Sequence, residues 1–184
     1  RFGRYFESWA AEASTLELRR MRKWLMIGWL CTMLGALGAC DWIASKELEV
    51  GESTVDDVRR LMGGPDTIRE QADGGKIYEY PRGPQGAQTW MVRIDANGRY
   101  QGMSDALAEA NLARVKPGMT RDEVRLLLGR PGETGRMAGA QGPVMTWRVQ
   151  AGHGVTEMFH VELGPDDRVV KVDRSPDPQT VNTR

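Results

Sequence analysis

The chain has 184 residues with 25 basic and 25 acidic side chains, so its formal net charge is zero. It contains no basic run and no stripe of lysine or arginine beside aromatic residues. The sequence therefore lacks the electrostatic basis of nucleic-acid binding, and we exclude nucleic acid as a partner.

The first 20 residues precede Met21 and show no order typical of a targeting signal. We interpret residues 1–20 as an upstream extension that results from an over-extended gene start. They are therefore left out of the expected fold.

A secretory signal is predicted over residues 21–39, where the sequence reads MRKWLMIGWLCTMLGALGA. Positive charges at Arg22 and Lys23 precede an apolar run that ends in small residues, the usual layout of a signal peptide. The run is shorter than the roughly 20 apolar residues that cross a bilayer. We therefore expect cleavage after Ala39 rather than a transmembrane helix.

The segment LGAC at residues 37–40, which spans the predicted cleavage site, resembles the lipobox of bacterial lipoproteins. The resemblance implies that Cys40 is acylated, becomes the first mature residue and anchors the protein to a membrane, with residues 40–46 as a lipidated linker. The alternative is an ordinary free thiol in a spanning helix. Asp41 resembles the signal that retains enteric lipoproteins at the inner membrane, so an inner-membrane location stays open beside the outer membrane.

A short capped helix is predicted twice. In the stretch GMTRDEVRLLLGRP at residues 118–131, Thr120 and Glu123 form a capping box, Gly129 suits a left-handed residue after a helix, and Pro131 prevents continuation. The stretch STVDDVRRLMGGP at residues 53–65 is a weaker copy. One unit thus occurs twice along the chain.

Alternating apolar and polar residues after each helix predict strands with one buried face. Trp90, Val92 and Ile94 in the first copy match Phe159, Val161 and Leu163 in the second. A shorter alternation precedes each of these strands, and a turn followed by a third strand comes after it. A further helix is expected from Ser104, as its N-cap, to Val115, with a less regular counterpart over residues 44–50.

These elements predict an α+β fold of two tandem two-layer units, each a helix pair packed on a three-stranded antiparallel sheet. The first unit is expected over residues 47–103 and the second over residues 104–173. Residues 174–184 contain two prolines and mostly polar side chains. We interpret them as a flexible tail.

The lipobox, the Gly-Met-Thr block with its Leu-Leu-Gly-x-Pro ending and the tryptophan of the first strand resemble the SmpA/OmlA lipoproteins, the BamE family. The resemblance covers residues 112–172 well and residues 47–103 more weakly. It implies a non-catalytic accessory of the machinery that inserts β-barrel proteins, on the periplasmic face of the outer membrane. One departure is that the family member in that machinery has a single such domain.

A duplicated helix–sheet unit in which Gly-Met-Thr-Arg opens a helix also resembles the β-lactamase inhibitory proteins. This more distant resemblance implies an alternative function, an inhibitor-like module that binds a periplasmic or envelope enzyme.

No catalytic motif is found: the sequence has no Walker loop, no GxSxG and no paired histidines at metal-binding spacing. We therefore expect neither enzymatic activity nor a cofactor or metal, and interpret His153 and His160 as solvated surface histidines. Binding of a partner through an exposed sheet face or a strand edge is the remaining hypothesis. The candidate partner-binding residues point outward in the strand alternation and are Met91, Arg93, Met158 and His160, with Thr89 and Glu162 on the same faces.

Overall fold

Two four-stranded antiparallel sheets, each with strands in sequential order, form the framework of the molecule. The computed structural model describes residues 46–152 and 154–181. The first half contains helix α1 (Val55–Met62) and strands β1 (Thr67–Glu70), β2 (Lys76–Pro81), β3 (Thr89–Ile94) and β4 (Tyr100–Asp105). The second half contains helices α2 (Glu109–Leu112) and α3 (Arg121–Leu128), strands β5 (Glu133–Gly135), β6 (Val144–Gln150), β7 (Thr156–Leu163) and β8 (Val169–Pro176), and helix α4 (Pro178–Val181).

Both predicted capped helices are confirmed. The side chain of Thr120 accepts a hydrogen bond from the backbone N–H of Glu123, whose carboxylate accepts from Thr120 N in return. Thr54 and Asp57 make the same reciprocal pair at the start of α1. Each box satisfies backbone donors that have no partner inside the helix, which explains why two eight-residue helices begin at defined positions.

The internal duplication extends to details of the sheets. A register shift interrupts the β3–β4 pairing between Arg93 and Ile94, and the β7–β8 pairing has the same irregularity between Glu162 and Leu163. The two capping threonines also form equivalent isolated bridges, Thr54 with Arg99 and Thr120 with Arg168. The two halves therefore repeat one helix–sheet arrangement.

The prediction of three strands in each sheet is wrong, because a fourth strand is added at one edge of each. Strand β1 pairs with β2, and β5 pairs with β6. Every residue of β5 is exposed, and those of β1 alternate between partly buried and exposed. Edge strands of this kind are held by backbone hydrogen bonds and need no strong apolar pattern.

The helix predicted from Ser104 to Val115 is reduced to the single turn α2, and Ser104 lies in strand β4. Asp105 explains the change, because its carboxylate accepts hydrogen bonds from the backbone N–H groups of Thr89 and Leu107, each at 3.0 Å. These bonds hold the chain in a turn where a longer helix would begin. Among the described residues of the 44–50 counterpart, only 46 and 47 are helical.

The segment expected to be a tail is built into the second sheet as far as the structure describes it. Strand β8 runs to Pro176, and the next residue, Asp177, is 1% exposed. The carboxylate of Asp177 forms an ion pair with Arg148 and accepts a 2.6 Å hydrogen bond from Thr156 Oγ1. That bond is the main cause that lowers the pKa of Asp177.

Helix α3 lies between the two sheets. Its Val124 and Leu128 are fully buried in a core with Trp147 and Phe159 of the second sheet. On its other side, the carbonyl oxygens at its C-terminal end accept hydrogen bonds from Arg69 of the first sheet. Helix α1 covers the opposite face of the first sheet, so the layers run α1, first sheet, α3, second sheet.

Candidate partner-binding cleft

A buried carboxylate joins the first sheet to the end of helix α3. Glu79 of β2 is 1% exposed; its Oε2 accepts a hydrogen bond from Arg69 Nη2, and its Oε1 accepts one from Arg130 N, both at 2.5 Å. The guanidinium of Arg69 also donates to the carbonyl oxygens of Leu126 at 3.1 Å and Arg125 at 2.9 Å. Because Arg69 places a cation at the helix C-terminus, it complements the helix dipole there.

Beside this junction the first sheet and the α3 segment line a cleft of about 770 Å³. Its sheet wall includes Ile77, Met91 and Arg93, and its other wall includes Met119, just before α3, and Leu126 and Leu127 of α3. In the strand register Ile77 lies opposite Arg93, and Met91 lies opposite Glu79. The cleft therefore lies directly beside the buried junction.

The four predicted partner-binding residues do not form one surface. Met91 and Arg93 line the cleft on the first sheet. Met158 and His160 lie on the second sheet, on the face opposite the core residues Phe159 and Val161. The two pairs occupy equivalent strand positions in the two copies, so the sequence pattern predicts the same surroundings for both. They are separated because α3 is inserted between the two sheets, which the pattern does not show.

The prediction that His160 is a solvated surface residue is wrong. It is 9% exposed, and its two ring nitrogens lie 3.0 Å from Thr146 Oγ1 and 2.8 Å from Ser175 Oγ. Burial lowers the pKa of His160, against the opposing fields of Asp173 and Glu133, so the ring is favoured in its neutral form. Thr89, also expected to face outward, is 1% exposed because Gly129 approaches it closely.

A second cavity, of about 580 Å³, lies over the His160 face of the second sheet. The loop of residues 137–141 forms one side, and its Gln141 N donates a 2.6 Å hydrogen bond to Glu162 Oε1. Val144, Lys171 and Asp173 also line it. This loop and the extended strand β8 account for the burial of a face that the strand alternation alone predicts to be open.

Sequence reasoning missed Glu79 and Arg69, the residues that fix the cleft. A signal was present in the strand KIYEYP, where an ionisable residue stands between two tyrosines that are both buried. Glu79 points to the face of the strand opposite these tyrosines. If another element covers that face, the buried carboxylate requires a hydrogen-bonding or charged partner. Nothing in the sequence indicates that this partner is the arginine that also caps α3.

Several predicted features lie outside the described residues: the upstream extension, the signal with its cleavage at Ala39, Cys40, Asp41, and His153. Within the part of the chain that the structure describes, no helix is long and apolar enough to cross a membrane. The same residues contain no group of three or more histidine, cysteine, aspartate or glutamate side chains that could hold a metal ion.

One part of the chain matches a known protein family. Residues 105–142, which run from the end of β4 through α3 to the loop before β6, match the model of the outer membrane protein assembly factor BamE domain. Among curated proteins, none matches the chain significantly.

Two solved structures are distant neighbours of the chain. A DUF4309 family protein (YjgB) from Bacillus subtilis has 14% identity and a TM-score of 0.26, with 71% of this chain and 83% of that chain covered. A "putative beta-lactamase inhibitor protein" from Streptococcus mutans has 9% identity and a TM-score of 0.31, with 74% and 96% covered. The expected resemblance to the BamE family is confirmed by the family-model match alone, which covers residues 105–142 around helix α3.

Proposed function

We propose that the protein is a lipid-anchored, non-enzymatic protein-interaction module of the cell envelope, an accessory in outer-membrane protein assembly or envelope integrity. The observation that carries this proposal is the match of residues 105–142 to the domain of the outer membrane protein assembly factor BamE. The absence of catalysis is proposed from the same resemblance.

The position of the matched segment supports a role in binding. It contains helix α3, which forms the core with the second sheet and one wall of the cleft against the first. A contiguous apolar patch at a protein surface is typical of interaction sites. Leu126, 63% exposed, belongs to such a patch with Ile77, Met91 and Leu127, which line the same cleft.

The identity of the partner is tested by crosslinking intact cells and purifying the protein together with the proteins crosslinked to it. Components of the barrel-assembly machinery should co-purify with the wild-type chain. Recovery of a single hydrolase or peptidoglycan enzyme would instead favour the alternative, an inhibitor-like module, and recovery of no envelope protein would contradict both functions. Met91→Asp and Met158→Asp, assayed separately, show whether the cleft or the outer face of the second sheet makes the contact.

The membrane anchor is proposed to be an acylated Cys40 at the periplasmic face of the outer membrane. Several acyl chains hold a protein firmly, because each buried CH₂ contributes about 0.8 kcal/mol. Cys40→Ser should release the protein from the membrane fraction and abolish labelling by an alkyne fatty acid. Persistence of both signals would show that the cysteine is not the anchor.

The choice of membrane is tested at the next residue. If Asp41 acts as an inner-membrane retention signal, Asp41→Ser should move the protein to the outer-membrane fraction on a sucrose gradient. If the parent already fractionates with the outer membrane, Asp41 has no retaining effect in this protein.

A further inference from the structure

We call the cleft between the first sheet and α3 the wedge. The buried contact of Glu79 with Arg69 and Arg130 lies beside it, because Glu79 is opposite the lining residue Met91 in the strand register. Arg93 of β3 and Gly102 of β4 also line the wedge and are opposite one another in the register. A Cβ built on Gly102 would meet no atom within 4 Å, so backbone is accessible on this wall.

The walls of the wedge are suited to an apolar side chain. Ile77 and Met91 are partly buried on the sheet wall, and Leu126 is largely exposed on the helical wall. Methionine has an adaptable, polarisable side chain that accommodates different apolar shapes. The volume, about 770 Å³, falls within the range of binding sites for small ligands or a short peptide segment.

The charges of the wedge are unbalanced. Arg93 is exposed, and no carboxylate of the described residues forms an ion pair with it or with Arg114. Glu123 also lines the wedge, but its Oε2 is held by both the N–H and the hydroxyl of Thr120, which lowers its pKa. The wedge is thus lined by two guanidinium groups, those of Arg93 and Arg114, and by one carboxylate, Glu123, which is already hydrogen-bonded to Thr120.

We propose that the wedge binds an acidic peptide segment of a partner protein, with an apolar side chain between Met91 and Leu126 and a carboxylate paired with Arg93 and Arg114. This inference rests on the proposed protein-binding function and specifies the chemistry of the partner. Bidentate pairing of guanidinium with carboxylate supplies both attraction and orientation. The side-chain amides of Gln101 and Asn111 add polar groups to the wedge, where they already donate to Asp95 Oδ2 and to the carbonyl oxygen of Asp105. Arg114 Nη1 donates to Asn111 Oδ1 at 3.3 Å, so its guanidinium keeps further N–H groups for a carboxylate.

The test is selection from a random octapeptide display library on the full chain reconstituted in phosphatidylcholine nanodiscs. Selected peptides should combine aspartate or glutamate with leucine, methionine or phenylalanine. One selected peptide is then synthesised with a fluorophore, and its affinity is measured by anisotropy. The double variant Arg93→Glu/Arg114→Glu should bind it at least about ten-fold more weakly, since each charged hydrogen bond is worth more than one factor of ten.

Two further variants make the result specific. Arg136→Glu reverses a single charge at an exposed arginine outside the wedge and should leave the affinity for the peptide unchanged. Leu126→Ser removes exposed apolar surface and should also weaken binding, while circular dichroism shows that both the double and the Leu126 variant remain folded. Selection on the double variant should shift toward lysine-containing and arginine-containing peptides.

Selection of no peptide, or an affinity that the double variant leaves unchanged, would overturn the proposal. So would binding of phosphatidylglycerol vesicles that depends on Arg93 and Arg114 in the absence of peptide binding. If the double variant still crosslinks barrel-assembly components as the wild type does, the proposed function stands and the wedge is not its binding site.

Discussion

Gly63 and Gly129 occupy the same position in the two copies of the capped helix but have different surroundings. Both follow the last helical residue, with φ and ψ of 82° and −165° for Gly63 and of 77° and −166° for Gly129. This is an extended conformation at positive φ that only glycine adopts readily, rather than the left-handed helical one that the sequence predicts. A Cβ on Gly63 would meet open space, whereas one on Gly129 would lie 2.7 Å from Glu79 Oε1.

The two glycines form a matched pair for mutagenesis. Gly63→Ala should lower the free energy of unfolding by about 1–3 kcal/mol, the cost of the backbone conformation alone. Gly129→Ala adds steric overlap with Glu79 and Thr89 and should cost about 1–3 kcal/mol more. Urea denaturation of both variants measures the difference, and equal losses would show that the close approach at Gly129 is relieved without cost.

At the scale of elements, one face of the second sheet is fully covered and the other is partly covered. Its core face packs on α3, and the loop of residues 137–141 lies over part of the other face, together with the polar group of His160, Thr146 and Ser175. The hydrogen bonds of the imidazole satisfy both ring nitrogens, which explains how a histidine is tolerated among buried strands. The strand pattern alone cannot show this cover, because the loop between β5 and β6 that supplies it has no periodic pattern and folds back over the sheet only in the tertiary structure.

Burial of His160 makes stability depend on pH. Its pKa is lower in the folded state than the unfolded value of 6.5, so the unfolded chain binds more protons below that pH. The stability that the neutral ring contributes is complete above pH 6.5 and is lost as the pH falls through and below this value.

Urea denaturation at pH 7.5 and pH 5 should therefore show a smaller free energy of unfolding at pH 5. In His160→Gln, which cannot titrate, this loss should shrink, whereas His153→Gln serves as the control for the other histidine. The carboxylates of lowered pKa, such as Asp173 and Asp177, protonate at lower pH and do not interfere in this window. A loss that is identical in His160→Gln would rule out His160 as its source.

At the scale of the whole molecule, Glu79 joins the two repeated halves. All described residues belong to one compact unit, and this carboxylate links strand β2 with Arg69 and with Arg130, two residues after α3. A short helix–sheet unit has a small core, so packing the second unit against the first increases the surface that both bury. The same contact lies beside the wedge, because Glu79 is opposite the wedge residue Met91 in the strand register.

Glu79→Ala leaves Arg69 without its buried partner and should lower the free energy of unfolding by about 3 kcal/mol. Glu79→Gln keeps an acceptor for Arg130 N but removes the charge, and should cost less. Glu70→Gln removes the surface pair with Lys76 and should leave stability nearly unchanged. If Glu79→Ala unfolds at the same urea concentration as the wild type, the buried carboxylate does not hold the halves together.

The sequence by itself determined the local features of this protein: the two capping boxes, the central strands of each sheet and their repetition. These depend on residues a few positions apart, such as Thr120 with Glu123, and on the alternation around Val92 and Val161. The edge strands β1 and β5 and the end of β8 were missed because backbone pairing, rather than an apolar face, stabilises them.

Only the tertiary structure decided which outward faces are covered. The alternation predicts that Met91, Arg93, Met158 and His160 all point outward. In the folded protein Met91 and Arg93 line an open cleft, whereas Met158 and His160 lie on a partly covered face of the second sheet. Burial depends on what packs from elsewhere in the chain, here α3 on one sheet and residues 137–141 on the other. Local sequence patterns thus determine the repeated unit, whereas the insertion of α3 between the sheets, held by Glu79 and Arg69, creates the candidate binding site.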